Sequence, residues 1–237
     1  GRQRRADAAD GVREGLKGRR SRAENSGARA TAARRLQPEA AMLLQRRRFF
    51  VKERVSLLKL TDTYDILDPE TRQNVGIAKD EPPLWAKLLR LVLKKPLLPT
   101  FVRVYETEGA PAVLSLQKKP GFLKTTVVVT HADKGVIGRF RSKLFSIGGG
   151  FHVFDPSGRK VAEVKGDWKG WNFRMLDERG QELGVVTKKW AGIGKEMFTT
   201  ADNYMISLNE QGTGAQDQAA LLLAAGLAVD IVYKEAA

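Results

Sequence analysis

Residues 219–229, Ala-Ala-Leu-Leu-Leu-Ala-Ala-Gly-Leu-Ala-Val, limit what this chain can fold into. The run is made mostly of the strongest helix formers and has no polar face. Asp217 stands just before it as an N-cap, and a helix from Gln218 to Tyr233 would be about 24 Å long at ~1.5 Å per residue. That is shorter than the ~20 apolar residues of a membrane span, and Asp230 breaks the run. A helix apolar all round must be buried on every side, in lipid or in protein. In protein, the rest of the chain has to build a shell around it.

A repeated pattern supplies the shell. Tyr64-Asp65-Ile66-Leu67-Asp68-Pro69, Phe151-His152-Val153-Phe154-Asp155-Pro156 and Phe173-Arg174-Met175-Leu176-Asp177-Glu178 each place an aromatic and an apolar residue ahead of an Asp. Gly158 and Gly180 follow the last two Asp residues by three positions, which is type I turn chemistry closing a hairpin. Glu106-Thr107-Glu108-Gly109 and Ala132-Asp133-Lys134-Gly135, each between β-prone runs, are degenerate copies. Five hairpins, a strand near Phe49 and another over Tyr204–Leu208 predict about twelve strands. The expected fold is mainly β, a closed antiparallel barrel with the apolar helix inside it.

The formal net charge is +14, a bias toward polyanionic partners such as nucleic acid or anionic lipid. Part of it lies in residues 1–41, where eleven basic residues face five acidic ones and Leu16 and Leu36 are almost the only large apolar side chains. This segment is expected to be a disordered basic tail, read either as a nucleic-acid arm or as a start placed upstream of the true one at Met42. Residues 42–237 are expected to form a single domain. With no cysteine in the chain, disulfides, thiolate metal sites and cysteine nucleophiles are excluded.

Pro82 to Pro96 has helical spacing. Leu84, Trp85, Leu88, Leu89, Leu91 and Val92 make an apolar face, and Lys87, Arg90, Lys94 and Lys95 the polar side. One reading is an interfacial membrane helix with Trp85, Lys87, Arg90, Lys94 and Lys95 as its contacts. The other is a plug that closes one end of the barrel and leaves its lysines in solvent. Catalytic patterns are absent. His131 and His152 are the only histidines, and each is expected at the surface or at a hairpin end. Gly192-Ile193-Gly194-Lys195 lacks the spacer and the Ser/Thr of a phosphate loop. Gly148-Gly149-Gly150 reads as a flexible connector.

The stretch Lys188-Lys189-Trp190-Ala191-Gly192-Ile193-Gly194-Lys195-Glu196-Met197-Phe198-Thr199-Thr200-Ala201-Asp202-Asn203-Tyr204 resembles the signature of the phospholipid scramblase family. There a Trp-Ser/Ala-Gly segment leads into Glu-x-Phe-Thr and Ala-Asp-Asn-aromatic, here carried by Trp190, Gly192, Lys195, Glu196, Phe198, Asp202 and Asn203. The resemblance runs from about Asp62 to Glu235. It implies a twelve-stranded barrel around a C-terminal helix, as in the related LURP-one and Tubby C-terminal domains. The family's calcium loop would start at Thr200 and end at Gln211, with Asp202 as its remaining acidic ligand. One carboxylate is too few for an ion that takes 6–8 oxygens, so calcium is not an expected cofactor, and no other cofactor is. The acylated cysteine cluster would fall at residues 118–123, which hold no thiol. The Arg, Ala and Gly bias fits a bacterial relative.

These readings predict a non-enzymatic, monomeric, scramblase-like barrel. It would sit in the cytoplasm, peripheral to the plasma membrane, on an anionic phospholipid surface. The competing expectation is a soluble Tubby-like or LURP-one-like regulator that binds a ligand or nucleic acid through its basic surface and tail.

Overall fold

Alternation of apolar and polar residues at a period of two sends one side chain inward and the next outward along a strand. Twelve segments of the chain follow it in the computed structural model. The structure describes residues 42–54, 61–93, 97–120, 125–143, 149–167, 170–188, 203–209 and 215–234. The expectations for residues 1–41 lie outside them.

The strands are β1 (Arg48–Glu53), β2 (Thr63–Leu67), β3 (Asn74–Asp80), β4 (Thr100–Tyr105), β5 (Ala112–Lys119), β6 (Thr126–His131), β7 (Gly135–Ser142), β8 (Gly150–Phe154), β9 (Lys160–Asp167), β10 (Asn172–Asp177), β11 (Glu182–Thr187) and β12 (Tyr204–Leu208). Each pairs antiparallel with its neighbours in chain order. The pairing of β1 with β12, Phe49 opposite Ile206 and Val51 opposite Tyr204, closes the barrel. Closure removes the unpaired sheet edges that would otherwise invite aggregation.

The described residues also hold three helices: α1 (Met42–Gln45), α2 (Leu84–Leu89) and α3 (Ala215–Val229), the last continued by a π-helical turn over Asp230–Lys234. Leu222, Leu223, Ala224, Ala225, Leu227, Ala228 and Val229 are all buried against inward side chains such as Phe49, Ile66, Val104, Val127, Phe140 and Ile206. The apolar run is therefore the core of the barrel. Its close fit requires a small residue at position 226, where a Cβ would stand 2.6 Å from Ile206 Cδ1. Asp217 is not the N-cap expected of it. The helix begins two residues earlier, at Ala215, and Asp217 sits in its first turn with its carboxylate 2.6 Å from Lys134 Nζ. The helix α1 was not expected from sequence. Leu43 and Leu44 are buried with the core cluster, and the Leu43 N–H donates to Glu106 at 2.9 Å.

Antiparallel order puts the five hairpins β2–β3, β4–β5, β6–β7, β8–β9 and β10–β11 at one rim, with the start of α3. In two of them Asp155 and Asp177 accept backbone N–H bonds from Arg159, and from Arg179 and Gln181, at 2.8–3.0 Å. Gly158 and Gly180 take the positive φ of 91° and 79° that the turn needs. In the β2–β3 turn the left-handed position belongs to Arg72, at φ 63°, which explains why that copy lacks the glycine. The end of α3 lies at the other rim. There Tyr233 Oη accepts from the Gly150 N–H and donates to the Gly150 carbonyl at 2.8 Å. Gly149 and Gly150 are thus tied to the end of the central helix and are not the flexible connector expected; Gly148 lies outside the described residues.

Candidate functional site

The strongest chemical anomaly of the surface is apolar. Among the described residues, every exposed large hydrophobic side chain lies between Leu84 and Leu97: Leu84, Trp85, Leu88, Leu89, Leu91, Val92, Leu93 and Leu97. Leu84 and Val92 are 79% and 82% exposed and Trp85 55%. This patch interrupts the barrel between β3 and β4, on the rim opposite the hairpins.

Its local structure follows from its neighbours. Pro83, with φ −60° and ψ 156°, precedes the helix and makes no side-chain cap. The helix is shorter than the prolines at 82 and 96 implied. After Leu89 the chain tightens, Leu91 N–H bonding to Leu88 O at 3.1 Å and Val92 N–H to Leu89 O at 3.0 Å, an i→i−3 pattern. Ala86 is the helix's one buried side chain.

Arg90 holds the segment to the barrel. Its guanidinium pairs with Asp80, the last residue of β3, and the two side chains are 2% and 1% exposed. Asp80 also accepts from the Phe101 N–H at 3.3 Å, so one carboxylate joins the ends of β3 and β4 to the connection between them. This corrects the sequence reading of Arg90 as a membrane-contacting charge: it is an internal anchor. The reading of the segment as a plug is also overturned, because the wide apolar face points into solvent. Lys87 is exposed beside Trp85. Lys94 and Lys95 lie outside the described residues.

The family-like motif behaves differently. Trp190, Gly192, Lys195, Glu196, Phe198 and Asp202 all lie outside the described residues, as do Thr200 and Gln211. Asn203 is described, and it is buried at the start of β12. Tyr204 beside it stacks on Trp171 with ring centroids 5.5 Å apart, and Lys188 Nζ stands 4.2 Å from the Trp171 centroid. The end of β11 and the start of β12, which flank the motif in sequence, lie at the same rim as the apolar patch.

The interior near this rim holds one charged residue that the sequence left unexplained. Asp230, which interrupts the apolar run, is buried and accepts a hydrogen bond from the Tyr64 hydroxyl of β2. Burial, and then the neighbouring Asp230 carboxylate, push the Tyr64 hydroxyl well above its ordinary pKa and keep it a donor. Among the described residues no group of three or more His, Asp or Glu side chains is placed to hold a metal ion. Nor is any helix among them long and apolar enough to cross a membrane.

Residues 113–236, from β5 through the central helix, match the family model described as Scramblase. The chain belongs to the Scramblase family. The match starts well after Asp62, so β1–β4 and the apolar α2 segment precede it. No curated protein and no solved structure matches the chain.

Proposed function

We propose that this Scramblase-family chain is a non-enzymatic, peripheral lipid-binding barrel that docks on an anionic phospholipid surface through Leu84–Leu97. The observation that carries the reading is the concentration of exposed large apolar side chains in that one anchored segment. Withdrawing a large apolar side chain fully from water contributes about 1.5–3 kcal/mol, so a few inserted residues suffice for a weak, reversible hold. Trp85 has the amphipathic ring that favours the headgroup level, and Lys87 adds roughly 1 kcal/mol near an anionic leaflet. In this orientation the rim with the exit of α3, the end of β11 and the start of β12 faces the bilayer, while the Asp-headed hairpins face away. Movement of phospholipid between leaflets is what the family's description adds to the proposal.

Flotation of the full chain with liposomes tests the docking. Phosphatidylcholine vesicles containing phosphatidylserine should carry the protein upward, and pure phosphatidylcholine should carry less. Equal recovery with both would remove the electrostatic part, and no recovery with either would remove the membrane reading altogether. Loss of binding in full after deletion of residues 1–41 would place the contact in the tail instead. Transport is a separate measurement: fluorescent lipid in the inner leaflet of such vesicles should become accessible to an external quencher when the protein is added.

A further inference from the structure

Cations on the barrel's outer wall are not distributed evenly with respect to carboxylates. Across β1–β4 they pair nearly one to one: Arg54 with Asp65 at 2.7 Å, Arg103 with Glu81 at 2.8 Å, and Lys79 with Glu108. On β7–β9, three lysines share a single carboxylate. Lys143 Nζ lies 2.5 Å from Glu163 Oε1, Lys165 Nζ 3.1 Å from the same oxygen, and Lys160 Nζ 2.9 Å from Oε2. Arg141, His152 and Glu163 stand opposite one another in a row across the three strands.

We propose that this cluster, Arg141, Lys143, His152, Lys160, Glu163 and Lys165, is a binding site for a phosphate dianion, either a phosphomonoester or a pyrophosphate. Glu163 acts as the organiser. Its carboxylate draws three ammonium groups toward one point, at the cost of their mutual repulsion, and one negative charge cannot neutralise them. A phosphoryl group brings about two negative charges and three acceptor oxygens, which matches donors of this number and sign. Lys143 and Glu163 are mostly buried, at 13% and 16% exposure, so their arrangement is held before a ligand arrives. His152 Nδ1 is buried without a hydrogen-bond partner and lies 3.7 Å from Glu163 Oε2.

The electrostatics agree with the geometry. Burial would raise the Glu163 carboxyl, yet the hydrogen bonds from Lys143, Lys160 and Lys165 hold it down at about 2. His152 is pushed below its ordinary value by burial and then by Lys160 and Lys143, with Arg141 acting in the same sense and Glu163 opposing them. The imidazole is therefore poised to take up a proton when an anion offsets those cations.

The site does not depend on the membrane reading, because a soluble ligand tests it. Pyrophosphate is titrated into the full chain while the two imidazoles are followed by NMR. His152 should shift its pKa upward on saturation. His131, at the hairpin rim with its Nδ1 accepting from the Asp133 N–H, should not move. The double variant Lys143→Gln, Lys165→Gln should bind pyrophosphate at least tenfold more weakly, whereas Arg179→Gln, on an exposed turn, should bind as the parent does. Both histidines moving together, neither moving, or the double variant binding at full strength would each overturn the proposal. Phosphatidylcholine vesicles doped with phosphatidic acid distinguish the sources. Competition with pyrophosphate for the His152 shift identifies a lipid head group, and absence of competition beside intact pyrophosphate binding identifies a soluble phosphate.

Discussion

At the hairpin rim, Asp155 and Asp177 each satisfy the backbone of their own turn, and glycines take the left-handed positions. At the opposite rim Leu84, Leu88, Leu91 and Val92 stand in water with no covering element among the described residues. The same twelve strands end at both rims, so the difference is not one of architecture. One rim is finished as a protein surface and the other exposes apolar area that a soluble monomer normally covers. The contrast teaches that exposed hydrophobicity here is held in place and not left over, because a buried Arg90–Asp80 pair anchors it.

The largest expected effect comes from that anchor. Asp80→Asn removes the carboxylate that pairs with buried Arg90 and should cost about 3–5 kcal/mol, read as an earlier urea midpoint, with vesicle binding weakened as well. An unchanged midpoint would mean that the pair does not hold the segment. The reverse separation is expected of Leu88→Asp combined with Val92→Asp. Vesicle recovery should fall at least tenfold, ~1.4 kcal/mol, while stability stays within about 0.5 kcal/mol of the parent because both side chains are exposed. A smaller effect, on stability alone, belongs to the hairpin rim. Gly180→Ala meets no neighbouring atom but forces a Cβ into φ 79°, at ~1 kcal/mol, and vesicle binding should not respond. If it did respond, the two rims would not be independent.

A fourth prediction concerns the wall between the rims. The Glu163 carboxyl has a folded value of about 2, below its ordinary 4.5. Its contribution is therefore fully present above pH ~4.5 and lost as the pH falls toward ~2. Glu163→Gln should flatten the acid limb of a stability–pH curve by on the order of 1 kcal/mol after allowance for solvent screening. A limb of unchanged slope would show that the three lysines do not stabilise the ionised form.

Much of the barrel was legible because the signals were local. The alternation along Phe151–Phe154 and Phe173–Leu176, and the Asp-headed turns behind them, specify hairpins without knowledge of the rest of the chain. The site was legible only in part. Residues 82–96 advertised an amphipathic helix, but Arg90 and Lys87 look alike in a sequence. What separates them is Asp80 at the end of β3, ten residues earlier, a distance that only the fold closes. The Glu163 cluster gave no sequence signal at all. Lys143 and Glu163 are twenty residues apart and meet only through the β7–β8–β9 register.

By itself the sequence determined that residues 219–229 must be buried on every side, because a helix without a polar face has no other stable environment in water. It also determined that the rest of the chain was a set of hairpins able to surround it, and it carried the family's motif. Only the tertiary structure decided between lipid and protein as the helix's surroundings, by closing β1 on β12 around it. The same closure explains Asp230. A carboxylate that breaks an apolar run is a defect in one dimension, and the Tyr64 hydroxyl that satisfies it is 166 residues away in the chain. Burial and partnership are properties of three-dimensional neighbours, and for this reason the apolar face at Leu84–Val92, so similar in pattern to a core helix, ends in solvent while 219–229 forms the core.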